Sequence, residues 1–323
     1  MSLVLHQKDL TKLINELSNK WPVFGPVKDK KNAEIRFEPI TSTKNLFLNN
    51  SSSIIPPKKF VFPAKEAMFH FKNNHIEVKQ KKEMIILGMN RKDAEGFFYL
   101  DKLMTNPVCD DSYLEKRKVV KLIVIDSLTP SNSLNCDLYL QRVDEKNYLV
   151  YPYSSFGEEI IKSKLFSHGG SVGTISTRHF PDNVTHHPRL DEIVENSREH
   201  PIWDRLAETC FNCGICSYVC PLCYCFETED NFEITKNIEK DCKGCRNRKW
   251  DSCMLPDFNK VTFHNFRPKA KDRIYNWYYH KFVRMPREYG FPGCIDCGRC
   301  ISSCPANINY REVLKELIKD DRK

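Results

Sequence analysis

Two cysteine runs constrain this chain more than any other feature. Cys210, Cys213, Cys216 and Cys220 are followed by Pro221 in a C-x2-C-x2-C-x3-C-P run, and the spacing recurs as Cys294, Cys297, Cys300, Cys304 and Pro305. Three thiolates two residues apart let one short loop wrap three corners of a cubane, while the wider step and the proline turn the chain away. The runs therefore point to two 4Fe-4S clusters. Where two such runs share a chain, the fourth cysteine of each ligates the other run's cluster. The expected ligand sets are crossed: Cys210, Cys213, Cys216 and Cys304 in one, Cys294, Cys297, Cys300 and Cys220 in the other. Disulfides and paired zinc ribbons are the alternatives, but zinc sites favour isolated C-x2-C pairs, and a duplicated proline-terminated run argues against both. Gly214 and Gly298, after the second cysteine of each run, are expected to allow close backbone approach.

Length and composition bound the rest. A chain of 323 residues is long for one core, which predicts two domains. The hydrophobic fraction of 41% and charged fraction of 28% are ordinary for a water-soluble protein, and no apolar stretch reaches membrane-spanning length. The first residues are polar early and lack a small-residue cleavage site, so they read as a helix and no export is implied. Fifteen cysteines, mostly in metal-type runs, fit a reducing, cytoplasmic compartment, and oxygen-sensitive clusters fit an anaerobe. The net charge of +8 raises the question of nucleic acid. It is spread evenly, with 28 basic against 24 acidic residues up to position 195 and 22 against 18 after it. The densest basic stretch, Lys240–Lys249, reads as a solvated or partner-facing loop, so no nucleic-acid binding is expected.

The apolar pattern predicts an amphipathic helix over 3–19 and a half-buried strand over Ala33–Ile40. A polar linker around Asn49–Ser53 and a short strand at Phe60–Phe62 follow. Met84–Leu87 and Leu122–Ile125 look like strands buried on both faces, with a helix over Asn90–Leu103 between them and a further turn at Tyr113–Arg117. Asp137–Val143 and Tyr148–Tyr153 form a predicted hairpin, and Phe156–Phe166 a helix. Gly169–Gly173 lacks the Gly-Lys-Ser/Thr ending of a phosphate loop and reads as a connector. A short helix around Leu190–Val194, a break at His200-Pro201 and a helix at Trp203–Glu208 lead to Cys210. The runs stand about eighty residues apart, more than a compact ferredoxin duplication needs. The insert holds the aromatic stretch Ile274–Phe282, and Arg311–Lys319 would be a closing helix. The expected architecture is an α+β N-terminal domain over 1–195, serving as scaffold or partner dock, followed by an α-helical ferredoxin-type domain with two 4Fe-4S clusters over 196–323.

The order His200-Pro-Ile-Trp203-Asp204, Cys210…Cys220-Pro221-Leu-Cys223-Tyr-Cys225-Phe226, Trp250-Asp251-Ser252-Cys253-Met254, Asn265-Phe266-Arg267, His280-Lys281 and Cys294-Ile-Asp-Cys297-Gly298-Arg299-Cys300 resembles two families. These are the beta subunit of cytoplasmic sulfhydrogenases, which are nickel–iron hydrogenases, and the A subunit of anaerobic sulfite reductase. A weaker resemblance runs through Pro56–Phe60, Ile86–Gly88, Asp93, Leu100-Asp101 and Asp111–Tyr113 to Arg117. It implies an iron–sulfur relay between a flavin subunit that meets NAD(P)H and a catalytic subunit holding nickel–iron or sirohaem. The hydrogenase assembly is favoured, and no catalytic residue or catalytic metal is implied for this chain. Relatives usually carry a cysteine just before the aspartate matching Asp93 and a C-F-C near 136. Here the positions read Lys92 and Asn135-Cys136-Asp137-Leu138, which leaves any electron path through the N-terminal domain in doubt.

Cys223, Cys225, Cys242, Cys245 and Cys253 could form a third metal site, with zinc or 4Fe-4S as the soft-ligand candidates, or could be buried thiols beside the clusters. Cys109 and Cys136 stand alone. His280 and Lys281 are expected to pack over the cluster domain, with proton gating the other reading. A non-redox module, braced by clusters or zinc and holding nucleic acid on Lys240–Lys249, is the rival from another class. Ligand crossing and even charge argue against it.

Overall fold

The computed structural model describes residues 2–48, 52–73, 75–78, 81–131, 134–169, 184–233 and 243–322. The chain forms two compact units, Met1–Val61 with Lys81–Phe180, and Phe62–Gln80 with Pro181–Lys323.

In the first unit eight strands lie in the order Phe166–Gly169, Ser2–His6, Asn147–Pro152, Leu138–Arg142, Val120–Asp126, Met84–Met89, Val23–Lys28, Ile35–Pro39. The four from Leu138–Arg142 to Val23–Lys28 run parallel to one another and the outer pairs antiparallel. Strands covered on both faces read as unbroken apolar runs, and Ile85, Ile86, Leu87, Leu122, Ile123 and Val124 are all buried as predicted. The helix Leu10–Ser18 presents Leu10, Leu13, Ile14 and Leu17, one stripe at helical spacing, to the face holding Ile85, Ile123 and Leu140. It is shorter than the predicted helix because Ser2–His6 is drawn into the sheet as a strand. Likewise the helix expected over Phe156–Phe166 ends at Ile160, and Phe166–Gly169 pairs beside Ser2–His6.

Helix Arg91–Leu103 starts at Asn90, whose side-chain oxygen accepts the Asp93 amide at 2.8 Å, the geometry of an N-cap. Asp101, Tyr113 and Arg117 meet in one network. The tyrosine hydroxyl donates to Asp101 at 2.5 Å and the guanidinium Nε lies 3.2 Å from both carboxylate oxygens. Phe60–Phe62 is not a strand, since a 3-10 turn occupies Pro57–Phe60. Gly170–Gly173 and Asn49–Ser51 lie outside the described residues.

The second unit combines helices with a four-stranded antiparallel sheet ordered Phe226–Glu233, Lys243–Trp250, Lys65–Lys72, His75–Glu77. A single division at 195 therefore misses that Phe62–Gln80 joins this unit, through the ladder between Lys65–Lys72 and Lys243–Trp250. Lys243–Lys249, expected as a loop, is part of a central strand, and 240–242 lie outside the described residues. Arg248, 1% exposed, bonds Glu66 at 2.6 Å and stacks over the rings of Phe62 and Phe226. Trp250 stacks on Phe62 and donates to its carbonyl at 3.0 Å. The helices Leu190–Asn196, Ile202–Thr209, Ala270–Tyr279 and Tyr310–Asp320 share one core around Trp203, Trp277, Tyr278 and Leu314. No helix among the described residues is long and apolar enough to cross a membrane.

Candidate metal centre

Both cysteine runs wrap an irregular loop that ends in a single helical turn. Cys210 caps the end of helix Ile202–Thr209, the next residues form an irregular loop, and a single helical turn, Ile215–Tyr218, follows. In the second run the turn is Arg299–Ser302. Gly214 and Gly298 have φ of 75° and 77°, a left-handed conformation that costs an L-residue about 1–2 kcal/mol and glycine little. At Gly214 space is also short, since a Cβ there would lie 2.9 Å from that of Ser252, whereas at Gly298 the nearest atom would be 3.9 Å away. Backbone amides point at sulfur in both loops: Asn212 N donates to Cys210 Sγ at 3.4 Å and Asp296 N to Cys294 Sγ at 3.3 Å. A third such bond joins Ile308 N to Cys304 Sγ at 3.4 Å.

Cys210, Cys213, Cys216 and Cys304 line one largely apolar cavity together with Ile215, Met254, Trp277 and Pro305, and Cys300 of the second run reaches its wall as well. The fourth cysteine of the second run is thereby brought to the first three of the first run. Burial raises the thiols of Cys210, Cys216, Cys294 and Cys300 above the ordinary cysteine value, Cys216 to about 12 and Cys294 to about 11. Neighbouring sulfurs add to the rise, Cys210, Cys213 and Cys220 all doing so at Cys216. Cys304 and Cys213 add to the rise at Cys210, whereas Cys294, Cys220 and Cys297 add to it at Cys300. Metal-free, these thiols hold their protons at neutral pH, so binding a metal group must displace them. Among the described residues no three His, Cys, Asp or Glu side chains converge tightly enough for a single ion. Sulfurs spread around an apolar cavity and receiving backbone N–H bonds suit a multi-iron cluster better than zinc.

A 4Fe-4S dicluster domain family matches residues 209–308, which contain both runs. Over an alignment of 337 residues the chain is 30% identical to Sulfhydrogenase 2 subunit beta of Pyrococcus furiosus, with 97% of each chain covered. The chain belongs to the sulfhydrogenase beta-subunit family. No solved structure matches it.

In this sulfhydrogenase beta-subunit relative the further cysteines do not all gather. Cys223 hydrogen-bonds with Cys220 and Cys253 with Cys225, contacts that together with burial hold the Cys223 and Cys253 thiols well above their ordinary value. Cys245 lies on strand Lys243–Trp250, where the Asn247 amide donates to its sulfur at 3.4 Å. Cys242 is outside the described residues. In the first unit Cys109 is exposed, and Cys136 is buried, which pushes its thiol up to about 12.

Lys281 is the residue whose place the sequence pattern understates. Its Nζ donates to Cys220 Sγ at 3.2 Å and to the Gly293 carbonyl at 2.8 Å. Burial alone would depress this ammonium, but Cys220, Cys223 and Cys294 in their thiolate forms outweigh it and hold the group well above the ordinary lysine value. His280 beside it is held neutral, its pKa lowered to about 4 by burial and by the charges of Lys281 and Arg284. Proton gating by His280 near neutral pH is therefore disfavoured. A buried lysine could have been suspected from its place in the aromatic stretch, but a sulfur partner some sixty positions earlier leaves no local trace.

Proposed function

We propose that this chain is the iron–sulfur electron-transfer subunit of a cytoplasmic nickel–iron hydrogenase. It carries two 4Fe-4S clusters with crossed ligands, Cys210, Cys213, Cys216 and Cys304 for one and Cys294, Cys297, Cys300 and Cys220 for the other. The clusters supply one-electron exchange without bond rearrangement. The chain's own residues hold the thiolates, aim backbone N–H groups at sulfur and keep the surroundings apolar. The reading rests on the cavity that Cys304 shares with Cys210, Cys213 and Cys216, supported by the likeness to a sulfhydrogenase beta subunit. Its partners are a flavin subunit meeting NAD(P)H and a nickel–iron catalytic subunit. A sirohaem sulfite reductase is the second assembly that the sequence resemblance allows. The first unit, with its mixed sheet, is the scaffold or partner dock.

The isolated chain should neither evolve hydrogen nor reduce sulfite, yet should accept electrons from a reduced low-potential donor. In the assembled complex, removing one cluster should cut NAD(P)H-linked turnover far more than turnover with an artificial dye at the catalytic subunit, because the dye bypasses the relay. Subunit stoichiometry must stay unchanged, since losing a cluster also removes folding free energy. Equal loss of both activities in an intact complex would overturn the relay.

A further inference from the structure

Lys281 lies in a π-helical turn, His280–Arg284, inserted between helices Ala270–Tyr279 and Met285–Tyr289. Such turns are rare and recur at functional positions. The side chain is 3% exposed, and its ammonium meets Cys220 Sγ, the Gly293 carbonyl and, at 5.1 Å, the ring of Trp277. The backbone fixes it further. Gly293 N donates to the Lys281 carbonyl at 2.7 Å, and a Cβ on Gly293 would lie 2.9 Å from Lys281 Cα. Residue 281 is thus clamped to the residue preceding Cys294 while its charge touches Cys220. Both of those cysteines belong to the same crossed ligand set.

The other set is treated differently. The charge of Lys281 reaches Cys216 there too, but its hydrogen bond goes to Cys220, and the buried cation Arg273 directs its N–H groups to oxygen: the carbonyls of Met254, Arg267 and Pro268 and the side chain of Asn212. The second loop also carries buried Arg299 at the position that Ile215 holds in the first. Its one carboxylate, Asp296, is matched by Arg311 at 2.5 Å.

We propose that Lys281 is a positioning residue that makes the two clusters unequal, raising the reduction potential of the one held by Cys220, Cys294, Cys297 and Cys300 above that of the other. Reduction adds one electron, no bond forms or breaks, and no proton is required. A cation bonded to a ligand sulfur in a water-poor surrounding favours the more negative, reduced state. An electron supplied by a low-potential donor then passes downhill from the Cys210 set, which is oxidised, to the Cys220 set, which is reduced.

The inference rests on the two-cluster reading above, and the test separates them. Iron content and two EPR signals in the wild-type chain test the clusters; fewer than two signals would sink that reading and this inference with it. With two present, EPR-monitored redox titration of Lys281→Met should lower the midpoint of the Cys220 set clearly more than that of the Cys210 set. A reduced-to-oxidised ratio about tenfold lower at the wild-type midpoint corresponds to ~59 mV for one electron. Lys281→Arg should restore most of it. Unmoved midpoints, or equal movement of both, would overturn the proposal. Should Lys281→Met lose iron, wild-type protein labelled with 15N-lysine decides: pulsed EPR should find lysine nitrogen coupled to the higher-potential cluster alone. Absence of that coupling, or coupling to the lower-potential cluster, counts against it.

Discussion

Asn212 and Asp296 share one backbone conformation, φ 52° at each, and each donates its amide to the sulfur of the cysteine two residues before it. The two loops are copies in main chain while differing in side chain. Asn212 accepts a bond from Arg273 at 3.2 Å, and Asp296 accepts one from Tyr310 at 2.5 Å and one from Arg311 at 2.7 Å. Repetition in the backbone with divergence in the polar shell is what two similar groups of different potential require.

The glycines that open these loops should not respond equally to substitution. Gly298→Ala carries only the left-handed strain, about 1–2 kcal/mol, whereas Gly214→Ala also drives a methyl into Ser252. Thermal denaturation of the holo chain should rank Gly214→Ala clearly below Gly298→Ala. The reverse order would mean that crowding at Ser252 relaxes freely.

Cys220→Ser should damage the cluster of Cys294, Cys297 and Cys300, although it lies in the first run. Serine is a poor iron ligand, so Mössbauer or EPR spectra should lose that cluster's signature. Loss of the cluster held by Cys210, Cys213 and Cys216 instead would refute the crossing.

Anaerobic analysis should give about eight irons per chain, four from each cluster. Cys225→Ser and Cys253→Ser should leave that number unchanged, because these thiols hydrogen-bond each other. About twelve irons, with four lost in either variant, would establish a third cluster.

Arg248 and Glu66 form a buried pair, with side chains 1% and 8% exposed. Removing one partner strands a charge and costs about 3–5 kcal/mol, whereas replacing both with apolar residues costs far less. Arg248→Met should lower the denaturation midpoint strongly, and adding Glu66→Leu should recover much of the loss. Additive losses in the double variant would show that the pair is not coupled.

Sequence periodicity carried the inner strands and the cysteine loops well, because their signals are local. Met84–Met89 and Val120–Asp126 announce themselves by unbroken apolar runs, and Gly214 and Gly298 by position within a motif. What escaped depends on distant partners. Val23–Lys28 contains Gly25 and Pro26, which read as breakers, yet it pairs on both sides. The polar run Lys243–Lys249 becomes a strand only because Lys65–Lys72 and Phe226–Glu233 flank it. The contact of Lys281 with Cys220 likewise follows from helix packing and not from any short motif.

Lys65–Lys72 leaves the ribosome long before Lys243–Trp250, the strand it pairs with. The cysteine-bearing unit therefore cannot complete its sheet until residue 250 has been made. A gene fragment beginning at residue 196 would code for both cysteine runs yet lack the strand Lys65–Lys72 that Lys243–Trp250 pairs with.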